Sequence, residues 1–555
     1  MKKIYFLVVG FLLIGSVASA QYTRYIIQFT GKNNSPYSLQ RPTEFLSAKA
    51  LQRRTRQNIS LDSTDLPINP AYLDSIRNAG AVTLLTASKW LNQVAVQTTD
   101  SAALAHIMAL PFVRASASGP IAVRRNLTPG NARNKFTEDM QDITVTYNRS
   151  GDTVDYFNYG NSDAQVRIHH GEFLHNNGFR GEGMTIAILD AGFRAYLTNP
   201  AFDSARNHGQ ILGTWDFVKN EASVNEDDTH GMYCFSIIAA NLPGVMVGTC
   251  PKAKFYLFRT EDAATEYPIE EQNWVAGAER ADSLGVDLIT SSLGYSEFDD
   301  PVFNHTYADM NGNTTIITRG ADFAAKKGMI VTNSAGNSGQ DPWHYLIAPS
   351  DGDSVLAVGA VNTLKNVAPF SSYGPSSDGR IKPNVASVGW GTIVTNTVGT
   401  PVGGNGTSFS NPNLAGLITC LWQAFPEFSN MEILDAVQKS ADHFSNPDDR
   451  VGYGIPDFQV AYNVLLQKRG AHGNIWAYPV PFTDQFTVSL VPTNSGKSSL
   501  SLVDASGRTL LSKSFDAQAQ QFQAIPFHVK SSLPHGTYYL VWREGKTRHV
   551  LPILK

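Results

Sequence analysis

From Gly181 onward the chain alternates short, almost unbroken apolar runs with longer stretches of helical pattern. Met184–Leu189 is the first such run and ends at Asp190. Phe255–Phe258, Val286–Thr290, Met329–Asn333 and Ser354–Val361 repeat the form, and His230–Ala240, Glu270–Leu284 and Ile316–Lys327 lie between them as helices. Strands apolar on both faces, alternating with helices, predict an α/β unit: a parallel sheet covered by helices on both sides. In such sheets ligands gather beyond the carboxyl ends of the strands. Asp190, the Ser292-Leu293-Gly294 turn and the Ser334-Ala335-Gly336-Asn337 turn all follow strand ends, so they are expected on one rim.

The flanking regions read differently. Lys2-Lys3, the apolar run Ile4–Gly15 and Ala18-Ser19-Ala20 form a secretory signal over residues 1–20, too short to span a bilayer. Residues 21–120 predict a small α+β unit, with strands at Tyr25–Phe29, Trp90–Val96 and Leu110–Val113 and helices around Leu51–Arg54 and over Ser101–Met108. Residues 121–164 are polar, carry Arg124-Arg125 and lack periodicity, as in a linker with a processing region. Alternating runs from Gln485 onward predict a small all-β domain over residues 474–555.

Composition narrows the class. The 555 residues are 42% hydrophobic and 17% charged with a formal net charge of −4, a folded protein with no basic signature for nucleic acid. Three cysteines exclude a disulfide framework; a Cys234–Cys250 bridge stays open. His169-His170 reads as a solvated pair on a helix.

One stretch concentrates candidate chemistry. Gly403-Gly404-Asn405-Gly406-Thr407-Ser408 leads into the apolar run Leu414–Trp422, placing Ser408 at a loop-to-helix junction with Pro412 in the first turn. A helix start offers unpaired N–H groups and positive potential, which suits a nucleophilic serine. A serine nucleophile needs a base and a carboxylate to orient it. His230 opens a predicted helix after Asp227-Asp228-Thr229, and Asp190 ends a buried strand, where a carboxylate needs a partner. Asn337 is placed to donate to an oxyanion together with the Ser408 N–H.

The order Asp190, His230, Asn337, Ser408 resembles the subtilisin-like (S8) serine peptidases. Thr185–Gly192 is similar to that family's aspartate motif, Gly406–Pro412 to its serine motif, and Ser292-Leu293-Gly294 to its substrate-lining strand. Phe370–Pro375 followed by Gly379–Pro383 is also typical, so the resemblance covers residues 165–465. Ala191 stands where Thr or Ser is usual, Ser410 where Ala is usual, and His230 is followed by Gly231-Met232 rather than Gly-Thr-His. The resemblance implies a subtilisin-like parallel sheet and a secreted serine endopeptidase. Asp190, His230 and Ser408 would be its triad, Asn337 its oxyanion donor, and Ser292, Leu293, Gly294, Ser334, Ala335 and Gly336 its substrate-binding residues. It needs no cofactor for catalysis. Structural Ca²⁺ is common in the family, on scattered carbonyls and carboxylates that leave no motif, and Asp309, Asn311 and Asn313 read as a plain turn. The alternative is an inactive exported binding or adhesion protein on the same scaffold.

The N-terminal unit resembles the family's inhibitory propeptide. The C-terminal unit resembles the type IX (Por) secretion sorting domain, on Tyr478–Phe482, Asp504–Arg508 and Gly536–Leu540. Expected partners are therefore protein or peptide substrates, the chain's own prodomain and the export machinery, with a monomeric protein that is secreted or held at the cell surface.

Overall fold

The computed structural model describes residues 22–116, 119–125, 135–136, 140–145, 155–470, 475–478, 480–519, 521, 523–530 and 532–555. The expected signal at residues 1–20 and much of the expected processing region lie outside them.

The N-terminal unit is a four-stranded antiparallel sheet of β1 (Tyr22–Gln28), β2 (Thr83–Ser88), β3 (Gln93–Gln97) and β4 (Ile121–Arg125), in the order β2-β3-β1-β4. Helices α1 (Ala48–Arg56), α2 (Pro70–Arg77) and α3 (Ser101–Met108) accompany it, started by the side chains of Ser47, Asn69 and Asp100. Three strands differ from expectation, β2 arising where none is predicted. Leu110–Val113 gives only a single bridge from Val113 to Phe29, and β4 lies just past the expected end of the unit.

The central unit is a seven-stranded, wholly parallel sheet. Its strands are β5 (Thr185–Asp190), β6 (Ile211–Asp216), β7 (Lys254–Arg259), β8 (Leu288–Ser291), β9 (Ile330–Ser334), β10 (Val355–Val361) and β11 (Val385–Val388). They run in the order β11-β10-β9-β8-β5-β7-β6. Helices α4 (His230–Ala239), α5 (Ile269–Leu284), α6 (Ile316–Lys326) and α7 (Thr407–Ala424) cover it. Two cores result. Ile186 and Ile188 of β5 pack with α4 and α7 on one face, while Ala187 and Leu189 pack with α5 and α6 on the other. That two-sided burial is why the predicted runs were apolar without alternation.

Helix α7 begins at Thr407, so Pro412 lies in its second turn, not the first. Proline has no N–H to bond the carbonyl four residues back. The freed carbonyl, that of Ser408, instead accepts the Ser292 hydroxyl at 2.8 Å and the Cys234 thiol at 3.4 Å. The helix break thus ties the serine-bearing turn to the β8 loop and to α4.

The C-terminal unit pairs a three-stranded sheet (Ile475–Tyr478, Gln485–Leu490, Gln523–His528) with a four-stranded one (Gly496–Val503, Thr509–Ala517, Thr537–Glu544, Thr547–Leu554). Phe486, Val488, Leu500, Leu502, Leu540 and Trp542 fill the space between them. Among the described residues no helix is long and apolar enough to cross a membrane.

The histidine pair is split rather than solvated. His170 is exposed and meets Asp457 at 2.7 Å, but His169 is fully buried between the Pro456 carbonyl (2.9 Å) and the Ser387 hydroxyl (2.8 Å). His175 is buried too, between the Tyr159 hydroxyl and the Thr249 carbonyl. Burial drives the pKa of each buried imidazole from 6.5 down to about 4. Above pH 6.5 both are neutral folded or unfolded, and their stability is fully present. Between pH 6.5 and 4 the unfolded chain takes up protons that the folded one refuses, at a cost approaching about 3 kcal/mol for each histidine. The melting temperature is expected to fall steeply over that window, and less steeply for a His169→Asn, His175→Asn variant. Equal slopes would contradict the assignment.

None of the three cysteines is in a disulfide. Cys250 lies beside Cys420, with sulfurs 3.4 Å apart, while Cys234 faces the Ser408 carbonyl, so the open question of a Cys234–Cys250 pair resolves into a different neighbourhood. Asp309 accepts the Thr306 N–H and hydroxyl, and Asn311 accepts the Asn313 N–H: these side chains are used within their turn.

Candidate active site

Asp190 is the last residue of β5 and fully buried. Its Oδ1 accepts the Ala191 N–H at 2.7 Å and meets His230 Nδ1 at 2.6 Å, so histidine is the partner that a carboxylate in this position requires. Oδ2 has no hydrogen-bond partner among the described residues; Ala191 offers a methyl where a hydroxyl is usual. The neighbouring strand ends neutralise each other separately. Arg259, register partner of Asp190, bonds the Asp216 carboxylate at 2.8 Å and the Ala191 carbonyl at 2.9 Å.

His230 is the first residue of α4, and its N–H is capped by Asp228 Oδ1 at 2.8 Å. Gly231 follows because nothing larger fits. A Cβ there would stand 2.6 Å from the Gly192 carbonyl oxygen and 2.8 Å from Asp190 Cβ. This glycine is what lets the aspartate strand and the histidine helix approach to hydrogen-bonding distance.

Ser408 is the second residue of α7, which runs beside α4; the rings of His230 and Phe409 are 6.5 Å apart. The Thr407 N–H is taken by Asn337 Oδ1 at 2.8 Å and the Phe409 N–H by the Gly406 carbonyl. Between them the Ser408 N–H has no partner among the described residues. Its position at the positive end of an 18-residue helix suits an anion. Ser410 spends its hydroxyl on the Thr407 carbonyl at 2.9 Å. Asn411 ties the same turn to β8 through Thr290 and the Ser291 carbonyl.

Asn337 follows β9. Its Oδ1 accepts both the N–H and the hydroxyl of Thr407, each at 2.8 Å, which leaves the Nδ2 donors for the cavity. Thr407 Oγ1 also accepts the Gly336 N–H at 3.2 Å. One cavity is lined by Ser408 and Asn337 together with Ser292, Leu293, Gly294, Ser334 and Gly336. Ala335 does not line it: its N–H bonds the Val358 carbonyl and its carbonyl accepts Ile347.

Sequence reading missed several residues here. Lys135 and Phe136 also line this cavity, and the Phe136 ring lies over His230 with centroids 4.3 Å apart. Lys135 Nζ sits among three glutamates: Glu261 in direct contact, Glu266 at 3.0 Å and Glu270 at 3.3 Å. Burial works against the ammonium, but the carboxylates outweigh it and raise its pKa. Thr407 is the other omission; its neighbour hid it.

Residues 181–454 match the subtilase family of S8 peptidases. Residues 24–137 match the peptidase S8 propeptide domain described for Bacteroidota, and residues 476–554 the secretion system C-terminal sorting domain. The chain therefore carries a subtilisin-like serine endopeptidase domain, preceded by an S8 propeptide domain and followed by a secretion sorting domain. Such a peptidase needs no cofactor for catalysis. Subtilisin E of Bacillus subtilis (strain 168) is 28% identical over 293 residues, covering 52% of this chain and 68% of its own length. Thermitase of Thermoactinomyces vulgaris is 28% identical over 271 residues, covering 48% of this chain and 83% of its own. Among solved structures, MycP1 from Mycobacterium smegmatis aligns with a TM-score of 0.43 at 20% identity, over 59% of this chain and 89% of that one.

Proposed function

We propose that the chain is an exported endopeptidase that cleaves peptide bonds through an acyl-enzyme on Ser408, with Asp190 and His230 completing the triad. The observation that carries this reading is the fully buried Asp190–His230 contact of 2.6 Å beside the helix start that bears Ser408. Asp190 accepts from Nδ1 and fixes the tautomer, which makes Nε2 the base for the serine proton. His230 returns that proton to the leaving amine. Asn337 Nδ2 and the Ser408 N–H receive the oxyanion. The prodomain acts as an intramolecular inhibitor, its Lys135–Phe136 segment lying across the cleft. The sorting domain directs the protein to the cell surface or beyond. An inactive adhesion protein on this scaffold would have no need to keep Asp190, His230 and Ser408, all of which this chain carries.

The reading is tested by mixing the processed enzyme with an activated ester. A burst of alcohol release matching the enzyme concentration, with an acyl mass on the Ser408 peptide, is expected; linear release with no adduct would exclude the acyl-enzyme. Thr407→Val keeps the backbone bond to Asn337 but removes the hydroxyl that orients it. We expect kcat to fall about tenfold with KM little changed, short of the 10²–10³ that losing an oxyanion donor costs in subtilisin. Steady-state kinetics on one peptide checks this.

A further inference from the structure

Glu261, Glu266 and Glu270 place carboxylate oxygens within 4.8 Å of one another, and Glu261 and Glu270 are fully buried. Three like charges at that separation, away from water, are costly unless a cation stands among them. The cage is nevertheless built to keep its shape. Glu270 accepts the N–H groups of Asp262 and Tyr267 at 3.0 and 2.8 Å, and the buried Tyr295 hydroxyl donates to Glu261. The cation present is Lys135 Nζ. Lys135 does not belong to the peptidase unit: it lies in the propeptide match, and the next residue covers the His230 ring. It therefore occupies the cage as a stretch of peptide crossing the active site would.

We propose that Glu261, Glu266 and Glu270 form a substrate subsite for a lysine or arginine side chain, carried one residue before the residue that lies over His230. Lys135 fills this subsite in the unprocessed chain and vacates it when the propeptide leaves. Once it is empty, the cage regains its counter-charge from substrate. Even with the ammonium present, burial holds the Glu266 pKa at about 8, and burial with repulsion from Glu261 holds Glu270 well above the carboxylate range. Removing Lys135 pushes both carboxyls further toward protonation, so an incoming ammonium or guanidinium displaces those protons and takes up buried, preorganised carboxylate partners. The inference rests on Ser408 and His230 being the catalytic centre.

The test uses naturally processed enzyme and fluorogenic peptides that differ only in Lys, Arg, Met or Glu at this position. Expected is a kcat/KM advantage of Lys and Arg over Met on the order of 10- to 100-fold, with Glu poorest. A Glu266→Gln variant, and separately Glu261→Gln, should shrink the Lys-to-Met ratio within each enzyme. Cleavage of all four peptides at similar rates overturns the subsite while leaving the catalytic reading intact. Calcium-dependent cleavage without a lysine preference overturns it in favour of a metal site. No cleavage of any peptide overturns both readings. The wild-type ratio decides the matter even if a variant fails to fold.

Discussion

Replacing Ser408 with alanine is expected to lower kcat about 10⁶-fold if Ser408 is the nucleophile proposed, a magnitude carried over from the same replacement in subtilisin, the type case for this chemistry. The residual rate comes from the oxyanion donors and substrate binding, which the alanine enzyme keeps. On the same proposal His230→Ala should lower it about as far and the double variant should add little, as a serine and histidine that act as one unit do in subtilisin. The geometry supports such coupling. The histidine is fixed from one side by Asp190 at 2.6 Å and at its backbone by Asp228, while the serine turn is fixed by Asn337, Ser292 and Asn411. Kinetics on processed enzyme checks this. Singles that cost tenfold each and multiply would point to another nucleophile.

The second large effect concerns the prodomain. Helix α1 inserts Arg53 and Arg54, both buried, against Asp282 of α5; Arg54 also meets Asp65, and Lys327 meets Asp65, at 2.8 Å each. Glu279, one turn earlier on α5, accepts the Ser88 hydroxyl and the N–H groups of Lys89 and Trp90. Helix α5 is thus the platform on which the propeptide unit rests. Asp282→Ala leaves two buried guanidiniums without their shared carboxylate, and breaking such a network costs about 3–5 kcal/mol. In the full chain carrying Ser408→Ala, this substitution should lower the melting temperature and expose the Arg53–Arg54 bond to trypsin. In the processed enzyme, where the arginines have gone, the same substitution should matter far less. Equal destabilisation of both forms would show that Asp282 serves the peptidase core alone.

Much of this was legible in the sequence, for identifiable physical reasons. The strands β5, β7, β8, β9 and β10 are buried on both faces, and burial writes itself as an apolar run. Asp190, His230 and Ser408 stand where such runs stop or start, so local pattern located them. Two strands left no such trace. Ile211–Asp216 is a partly exposed edge strand containing Gly213, and Val385–Val388 is only four residues long. His169 looked solvated beside His170 because a neighbour in sequence need not share a face. Pro412 looked like a first-turn residue because the helix start is set by Asn337 binding Thr407, a contact spanning seventy positions. The glutamate cage was illegible for the same reason. Its carboxylates come from a strand end, a loop and a helix start, and Lys135 reaches them from more than a hundred residues away. Ion pairs across such distances leave no periodicity.

The most direct test of the central claim is chemical. Processed enzyme is treated with a fluorophosphonate probe, digested, and the modified peptide identified by mass spectrometry. A single adduct on Ser408, absent from Ser408→Ala and strongly slowed in His230→Ala, is the predicted result. An adduct on any other serine, or none from an enzyme that still cleaves peptides, would contradict the account.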